Sequence, residues 1–250
     1  MNTIVMMTLL CTIAFVIFMI IYLTPYFSKK QIKNGKFDIL QFINLFFAPI
    51  LVIPFFYYLR KIIFQNLNIN LIRINSDIFD LVFLFILYFL VLGNSIHSVC
   101  VILSKHMKDI EKHKVWKINE FFHNTFSHFF LTVSAMLMFF LFVILEINRP
   151  LLYPINHIEV IILIVCGIIF GIVLGIGSTE GSIPRLMFYI FYMLSMIIAG
   201  VVIYHNLFFR HYPYTIFIET TFVTAIITLS FYKYKLKGFP EIVDHIFFDE

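Results

Sequence analysis

Two histidines, His97 and His128, stand inside stretches of apolar sequence that are each long enough to cross a lipid bilayer. A titratable side chain is costly in such a place, and it is usually retained for a substrate site, an ion path or a proton relay. Imidazole is also the commonest metal ligand among protein side chains. This pair is therefore the first candidate for chemistry in the chain.

The spacing of the two histidines predicts that they lie at one depth. His97 precedes Ser104, at the end of the third apolar stretch, by seven residues, and His128 follows Asn119, at the start of the fourth, by nine. At about 1.5 Å per helical residue, both rings would lie roughly 10 to 14 Å below the same boundary. A short loop joins the two stretches, so the helices must be antiparallel and the imidazoles can face each other.

Each histidine belongs to a polar stripe with helical spacing. Residues at i, i+3, i+4 and i+7 share one face of a helix, and in lipid a polar face is expected to meet other helices or a hydrated cavity. The stripes consist of Asn94, His97, Ser98 and Val101 on the third helix and of Asn124, Thr125, His128, Thr132 and Ala135 on the fourth.

Two further residues are candidates for the same site. Glu180 stands in the turn between the fifth and sixth stretches, on the predicted side of the histidines, as a third ligand or general base. His123 lies five residues before His128, roughly 140° away on a regular helix, so it joins them only if the helix start is irregular. Such a set with one open coordination position suits zinc or iron and would activate water. We therefore predict His97, His128 and His123 as metal ligands and Glu180 as the catalytic carboxylate.

Other polar residues in the apolar stretches have simpler explanations. Polar groups between membrane helices often form hydrogen bonds of about 0.6 kcal/mol each, and this alternative applies to the histidines too. Glu219 is expected to pair with His205 or Arg210 at the other end of the bundle. Gly167, Gly171 and Gly175 form two successive Gly-x-x-x-Gly steps, which predict close approach of a neighbouring helix.

The composition places the chain in a membrane. Hydrophobic residues make up 61% of its 250 residues and charged residues only 13%, against about a quarter in soluble domains. The formal net charge of +4 is spread over short loops, which argues against a nucleic-acid partner. The three cysteines, Cys11, Cys100 and Cys166, lie in apolar stretches and show no ligand spacing, so a disulfide framework or thiolate zinc site is not expected.

The pattern predicts one all-α domain over residues 1–250, a polytopic transmembrane bundle of about seven helices. Each apolar stretch carries roughly the 20 residues that a bilayer requires, and Pro49 and Pro54 predict a kink in the second. The predicted spans are residues 4–22, 39–64, 78–103, 121–145, 160–176, 186–204 and 216–232.

The loops predict the orientation of this bundle. Seven spans would leave 13 Lys and Arg residues on the side that holds the loop between the third and fourth spans, and five on the other side. Basic residues are retained on the cytoplasmic side. The N-terminus is therefore expected outside and the C-terminus in the cytoplasm, with the histidines near the cytoplasmic face.

Three short motifs carry a resemblance to a family. Residues 93–97 (GNSIH), 121–129 (FFHNTFSHF) and 180–181 (EG) resemble an uncharacterised group of prokaryotic polytopic membrane proteins. That group has Gly-x-x-x-His in one span, an aromatic-aromatic-Asp-Glu-x-x-x-His stretch in the next and a later Glu-Gly. The resemblance covers about a third of the chain and implies a prokaryotic cell membrane and shared positions at His97, His128 and Glu180. This chain departs from the group at the acidic pair, where it has His123 and Asn124.

Three functions compete at this point. The leading one is a metal-dependent hydrolase that acts on a membrane lipid ester or amide. The second is a b-type haem electron carrier with His97 and His128 as axial ligands. The third is a transporter or an accessory subunit without catalysis, whose polar stripes line a path or meet a partner membrane protein or a second copy of the chain.

Overall fold

The chain folds into helices throughout the part that the structure describes. A computed structural model describes residues 1–23, 39–73, 75–107, 114–180 and 183–235, and within these ranges it contains helices and no strand. The all-α class is thus confirmed. The helices are α1 (Thr3–Leu23), α2 (Ile39–Phe64), α3 (Ser76–His106), α4 (Lys114–Asn148), α5 (His157–Glu180), α6 (Pro184–Tyr204) and α7 (Pro213–Lys235), with a 3₁₀ turn at Phe209–His211 before α7.

Five of these helices, α3 to α7, are long and apolar enough to cross a membrane. Their outer faces carry large apolar side chains, among them Phe85, Ile161 and Ile227, which are exposed in the isolated chain. Such faces are stable only against lipid, because water would leave their apolar surface unburied. The helices therefore support a multi-pass membrane protein, as the composition predicts. The additional spans, at α1 and α2, and the orientation of the bundle stay predictions.

Local sequence signals determine several helix ends. Asn75 caps α3 by accepting a 2.7 Å hydrogen bond from the Asp77 backbone N–H, which is the usual role of a side-chain oxygen at this position. Pro184 and Pro213 begin α6 and α7, where a residue without a backbone N–H costs nothing. The largest departure from the predicted spans is in α4, which begins at Lys114, seven residues before the predicted start.

Helices α5 and α7 are in extensive contact. The glycines of α5 lie directly on the threonines of α7. A Cβ atom at Gly171 would lie 2.5 Å from the Thr221 carbonyl oxygen, and one at Gly175 would lie 2.7 Å from the Thr228 side chain. The close helix approach predicted from the glycine repeat is confirmed.

A second close crossing joins α3 to α4. A Cβ atom at Gly93 would lie 2.5 Å from the Leu131 backbone nitrogen and 2.9 Å from the Ser127 carbonyl oxygen. A glycine is required here because these neighbours are backbone atoms, which cannot turn aside as a side chain can. Gly93 therefore sets the distance between the two helices one turn away from His97.

The C-terminal end of α4 is held by hydrogen bonds to distant parts of the chain. Glu146 is fully buried, and its carboxylate accepts bonds from the backbone N–H groups of Tyr214 and Thr215, at 2.9 and 2.7 Å, and from the Thr215 hydroxyl at 2.8 Å. The first turn of a helix has unpaired N–H groups and a positive dipole end, and both favour a carboxylate. Glu146 thereby attaches α4 to the start of α7.

The next residues of α4 hold the connection between α2 and α3. The Asn148 side chain accepts a 2.7 Å bond from the Ile72 N–H, and the Asn148 carbonyl oxygen accepts one from Ile69. The Arg149 guanidinium donates to the Phe64 carbonyl oxygen at 3.1 Å and lies over the Phe64 ring. This end of the bundle is thus a junction of α2, α3, α4 and α7 in which the side chains of Glu146, Asn148 and Arg149 find partners, whereas the buried Tyr214 hydroxyl has none among the described residues.

Candidate metal centre

The part of α4 that carries His123 is a π-helix, and His128 follows directly after it. Between the α-helical segments Lys114–Glu120 and His128–Asn148, residues Phe121–Ser127 form a seven-residue π-helical segment, with hydrogen bonds from residue i to i+5. The Ser127 hydroxyl donates to the His123 carbonyl oxygen within this segment. The wider turn brings residues five apart towards one face of the helix. The irregular helix start that the sequence requires for His123 is therefore present.

The π-helical segment places three histidines together. One ring nitrogen from each of His97, His123 and His128 lies within 4.8 Å of the others, a group that we call the histidine cluster. The ring centroid of His97 is 4.9 Å from that of His123 and 4.7 Å from that of His128. The centroids of His123 and His128 are 5.9 Å apart. His97 is only 8% exposed, whereas His123 and His128 are half-buried. His97 is thus the buried member of the cluster, and His123 and His128 are its more exposed members.

Two nitrogens of the cluster have no hydrogen-bond partner among the described residues. They are the Nδ1 atoms of His97 and His123, and both are buried. A buried polar atom that forms no bond costs about 1 to 3 kcal/mol, so most such atoms in folded proteins are paired. The Tyr214 hydroxyl and Glu219 Oε2 are also buried without a partner among the described residues, but only the two histidine nitrogens belong to a group of metal-ligating side chains. These two nitrogens are therefore available to a ligand.

The dimensions and chemistry of the cluster fit a transition metal. Zinc–nitrogen bonds are about 2.0 to 2.1 Å long, which brings the ligand nitrogens of a tetrahedral site to roughly 3.3 Å from each other. The nitrogens here lie within 4.8 Å of one another, so each pair would have to approach by at most about 1.5 Å to reach the spacing of a tetrahedral zinc site. Three neutral imidazoles suit zinc, iron, copper or nickel and leave a coordination position for water or substrate.

A hydrogen-bonded network adjoins the cluster where α3 ends and α4 begins. The Glu120 carboxylate accepts a 2.9 Å bond from the Ser104 hydroxyl and a 2.8 Å bond from the Asn124 amide. The Asn119 amide in turn donates to Ser104 Oγ at 2.7 Å and to the Cys100 carbonyl oxygen at 3.2 Å. These bonds connect the last turns of α3 to the start of the π-helical segment.

The predicted carboxylate, Glu180, is the last residue of α5. Its side chain lies outside the described part of the structure. Among the described helices, α5 packs mainly against α7 and α1, whereas the π-helical segment packs mainly against α3 and the adjoining turns of α4. The catalytic role of Glu180 therefore stays a prediction, and a carboxylate that the structure does place beside the cluster is Glu120.

Glu219 does not pair as predicted. Its Oε1 atom accepts a 2.6 Å bond from the Ser195 hydroxyl on α6. Arg210 instead donates to the Ile155 carbonyl oxygen, and the His205 ring lies edge-on against Tyr204. The expectation that Glu219 pairs with either residue was wrong. The Arg210 side chain is bound to the loop before α5, and the His205 ring packs against Tyr204 at the end of α6.

Sequence reasoning overlooked Glu146 and the network around Glu120. Glu146 is an acidic residue at the end of an apolar stretch, and the predicted span ended one residue before it. Its position beside the stretch was a usable signal, but its partners, Tyr214 and Thr215, lie 68 and 69 residues further along the chain. Glu120 carried a weaker signal, a lone acid three residues before His123.

The chain matches no protein-family model, no curated protein and no solved structure. Its function is therefore argued from the geometry of the site alone.

Proposed function

We propose that the chain is a multi-pass membrane protein with a transition-metal centre whose ligands are His97, His123 and His128. The observation that carries the proposal is the convergence of three imidazoles, of which two have buried nitrogens without partners. A purely structural role would be expected to satisfy those nitrogens, as the Glu146 carboxylate at the other end of α4 is satisfied.

The reaction that such a centre supports best is hydrolysis. Three neutral ligands leave the charge of a divalent zinc or iron ion uncompensated, so a water in the fourth position would lose its proton near neutral pH. A carbonyl group that approached the same position would be polarised by the metal. The substrate we propose is a membrane lipid ester or amide. The proton acceptor would be Glu180, as the sequence predicts, or Glu120, which adjoins the π-helical segment.

The surroundings of the cluster support access from the bilayer. His123 and His128 are half-buried, and the neighbouring Phe122 and Phe129 are each 39% exposed. Aromatic side chains on the outer face of a membrane helix contact lipid. A lipid substrate would therefore reach the centre without crossing the polar ends of the helices.

The haem alternative is less well supported by the geometry. Axial ligands stand on opposite faces of a porphyrin, whereas the rings of His97 and His128 are in direct edge contact at 4.7 Å and His123 adjoins both. The transporter or accessory function explains the polar stripes but not the convergence of three histidines. A partner membrane protein or a homo-oligomer is compatible with each of these functions.

The proposed orientation puts the cluster near the cytoplasm. The cluster lies towards the end of the bundle at which α3 ends and α4 begins, and the loop there belongs to the more basic side of the chain. By the positive-inside bias, the N-terminus is then outside and the C-terminus cytoplasmic. The membrane proposed is a prokaryotic cell membrane.

Metal analysis of histidine variants tests the proposal. The protein is purified in mild detergent, reconstituted anaerobically with zinc, iron(II) or cobalt(II), and analysed for bound metal and visible absorption. The variants are His97→Ala, His123→Ala and His128→Ala, and the matched control is His157→Ala at the exposed start of α5. We expect about one metal ion per chain in the parent and the control, and a loss of at least tenfold in each cluster variant, as removal of a ligand requires.

Three results would overturn this assignment. Undiminished metal in His97→Ala and His128→Ala would show that the ligands lie elsewhere. A Soret band lost in those two variants would establish the haem function. Failure of the parent to bind any of the three metals would leave the transporter or accessory function.

A further inference from the structure

Glu120 connects the two helices that carry the cluster. Its Oε1 accepts from Ser104 on α3, and its Oε2 accepts from Asn124 in the π-helical segment. Asn119 extends the connection by donating both to Ser104 and to the Cys100 carbonyl oxygen. We call Ser104, Asn119, Glu120 and Asn124 the Glu120 network.

The network begins where the helix type changes. Glu120 is the last residue of the α-helical segment Lys114–Glu120, and Asn124 is the fourth residue of the π-helical segment. The bond between them therefore spans the first turn of the π-helix. The other end of the segment is held at Ser127, whose carbonyl oxygen meets Gly93 of α3. The π-helical segment is thus attached to α3 at both of its ends.

Such attachment is needed because a π-helix is less stable than the α-helix it replaces. π-Helical turns are rare and occur mostly where a functional site retains them. If the segment reverted to α-helix, His123 and His128 would stand roughly 140° apart, and His123 would leave the cluster. Bonds that favour the π-helical turn therefore favour the three-histidine arrangement.

We propose that Glu120 is the positioning residue of the histidine cluster, and that its bonds to Ser104 and Asn124 hold the π-helical turn that presents His123. The proposal rests on the proposed metal centre for its functional meaning. Its structural content, the position of His123, is independent of any metal.

Cobalt(II) binding measures the functional consequence. In Glu120→Ala we expect the cobalt affinity to fall about 10- to 100-fold, the range typical of residues that orient ligands, and the d–d spectrum to approach that of His123→Ala. Glu120→Gln keeps an oxygen acceptor for Ser104, and its NH2 group can donate to Asn124 Oδ1 once the Asn124 amide turns over. Both bonds are then retained, and this variant should stay within about threefold of the parent. Ser195→Ala, which removes another serine–glutamate bond between helices, is the matched control and should bind as the parent does.

A double-mutant comparison separates positioning from general damage. If Glu120 acts through His123, adding Glu120→Ala to His123→Ala should weaken cobalt binding little further. Two substitutions that affect the same ligand are not additive. Additive losses, or parent-like cobalt binding in Glu120→Ala, would overturn the proposal.

Cross-linking tests the position of His123 without metal. In a background without native cysteines, His97→Cys and His123→Cys are combined and oxidised with copper phenanthroline, and the intrachain disulfide is measured by mass spectrometry. We expect efficient cross-linking when Glu120 is retained and in the Glu120→Gln variant. In the Glu120→Ala variant we expect a rate at least fivefold lower. An unchanged cross-linking rate in Glu120→Ala would disprove the positioning role, whether or not the parent binds metal. If the parent binds no metal but Glu120→Ala still lowers the rate, only the metal centre is disproved.

Discussion

The Glu146 carboxylate near one end of α4 and the histidine cluster near the other differ in how their buried polar atoms are paired. The Glu146 carboxylate has three donors, and the neighbouring Asn148 bonds to the connection between α2 and α3. In the cluster, His97 of α3 and His123 of α4 each keep a buried nitrogen without a partner among the described residues. The cost of burying the Glu146 carboxylate is thus offset by bonds within the chain, whereas the cost of burying the two histidine nitrogens is not.

The difference separates stabilising polar groups from functional ones. A buried polar group with all its partners holds elements together, whereas one without partners lowers stability unless a ligand completes it. By this criterion the Glu146 carboxylate is a group that stabilises the fold, and the histidine cluster has the unpaired atoms expected of the binding site that we propose. Changes at the first should therefore destabilise the protein, and changes at the second should alter binding.

The largest effect is expected at Glu146. Glu146→Ala removes the acceptor of two backbone N–H groups and of the Thr215 hydroxyl, and each buried group left unpaired costs about 1 to 3 kcal/mol. We expect a loss of about 3 kcal/mol or more in the free energy of unfolding, measured by denaturant titration in detergent micelles. Glu146→Gln keeps acceptor capacity and should lose less. A parent-like stability of Glu146→Ala would show that the junction is not what holds α7 to α4.

A smaller effect of opposite sign is expected from metal at the cluster. A ligand that binds only the folded state at 100 times its dissociation constant stabilises it by about 2.7 kcal/mol. We expect this gain in thermal unfolding of the parent with zinc or cobalt, and its loss in His97→Ala and His128→Ala. Without metal, these variants should unfold within about 1 kcal/mol of the parent. A large loss in the metal-free state would instead make the cluster a structural element like Glu146.

Gly93 tests how closely the cluster depends on helix packing. Gly93→Ala places a methyl group 2.5 Å from the Leu131 nitrogen, so α3 and α4 must separate. Such overpacking typically costs about 1 to 3 kcal/mol, and the cobalt affinity should fall with it. The matched control is Gly200→Ala, where nothing lies within 4 Å of the added atom and the better helix propensity of alanine should leave stability equal or higher. Equal responses at both glycines would contradict the close crossing.

The smallest effect is expected at an ion pair at the edge of the Glu146 junction, where the Arg60 guanidinium also lies over the Phe64 ring. Arg60 and Asp80 join α2 to α3 at 2.7 Å, but both side chains are partly exposed. Exposed pairs contribute at most about 1 kcal/mol, so Asp80→Asn should change the free energy of unfolding by less than that and leave metal binding unaltered. If Asp80→Asn lowered the free energy of unfolding as much as Glu146→Ala does, it would contradict the difference that we expect between a buried, fully bonded carboxylate and a partly exposed ion pair.

Much of the site followed from the sequence because it depends on local spacing. Apolar stretches of spanning length predict the helices, and the short loop between the third and fourth stretches requires an antiparallel pair. Similar distances from that loop, seven and nine residues, then bring His97 and His128 to one depth. The glycine repeat of α5 is local in the same sense, since its spacing alone places three glycines on one face.

Only the tertiary structure decided how the cluster is completed. His123 joins it because residues 121–127 form a π-helix, and that choice depends on Gly93 and on the bonds of Glu120 to Ser104 and Asn124. Glu146 likewise acquired its role from backbone groups 68 and 69 residues away. Helical periodicity reports which residues share a face, but it carries no information on which distant atoms satisfy a buried polar group. That pairing is settled when the helices pack.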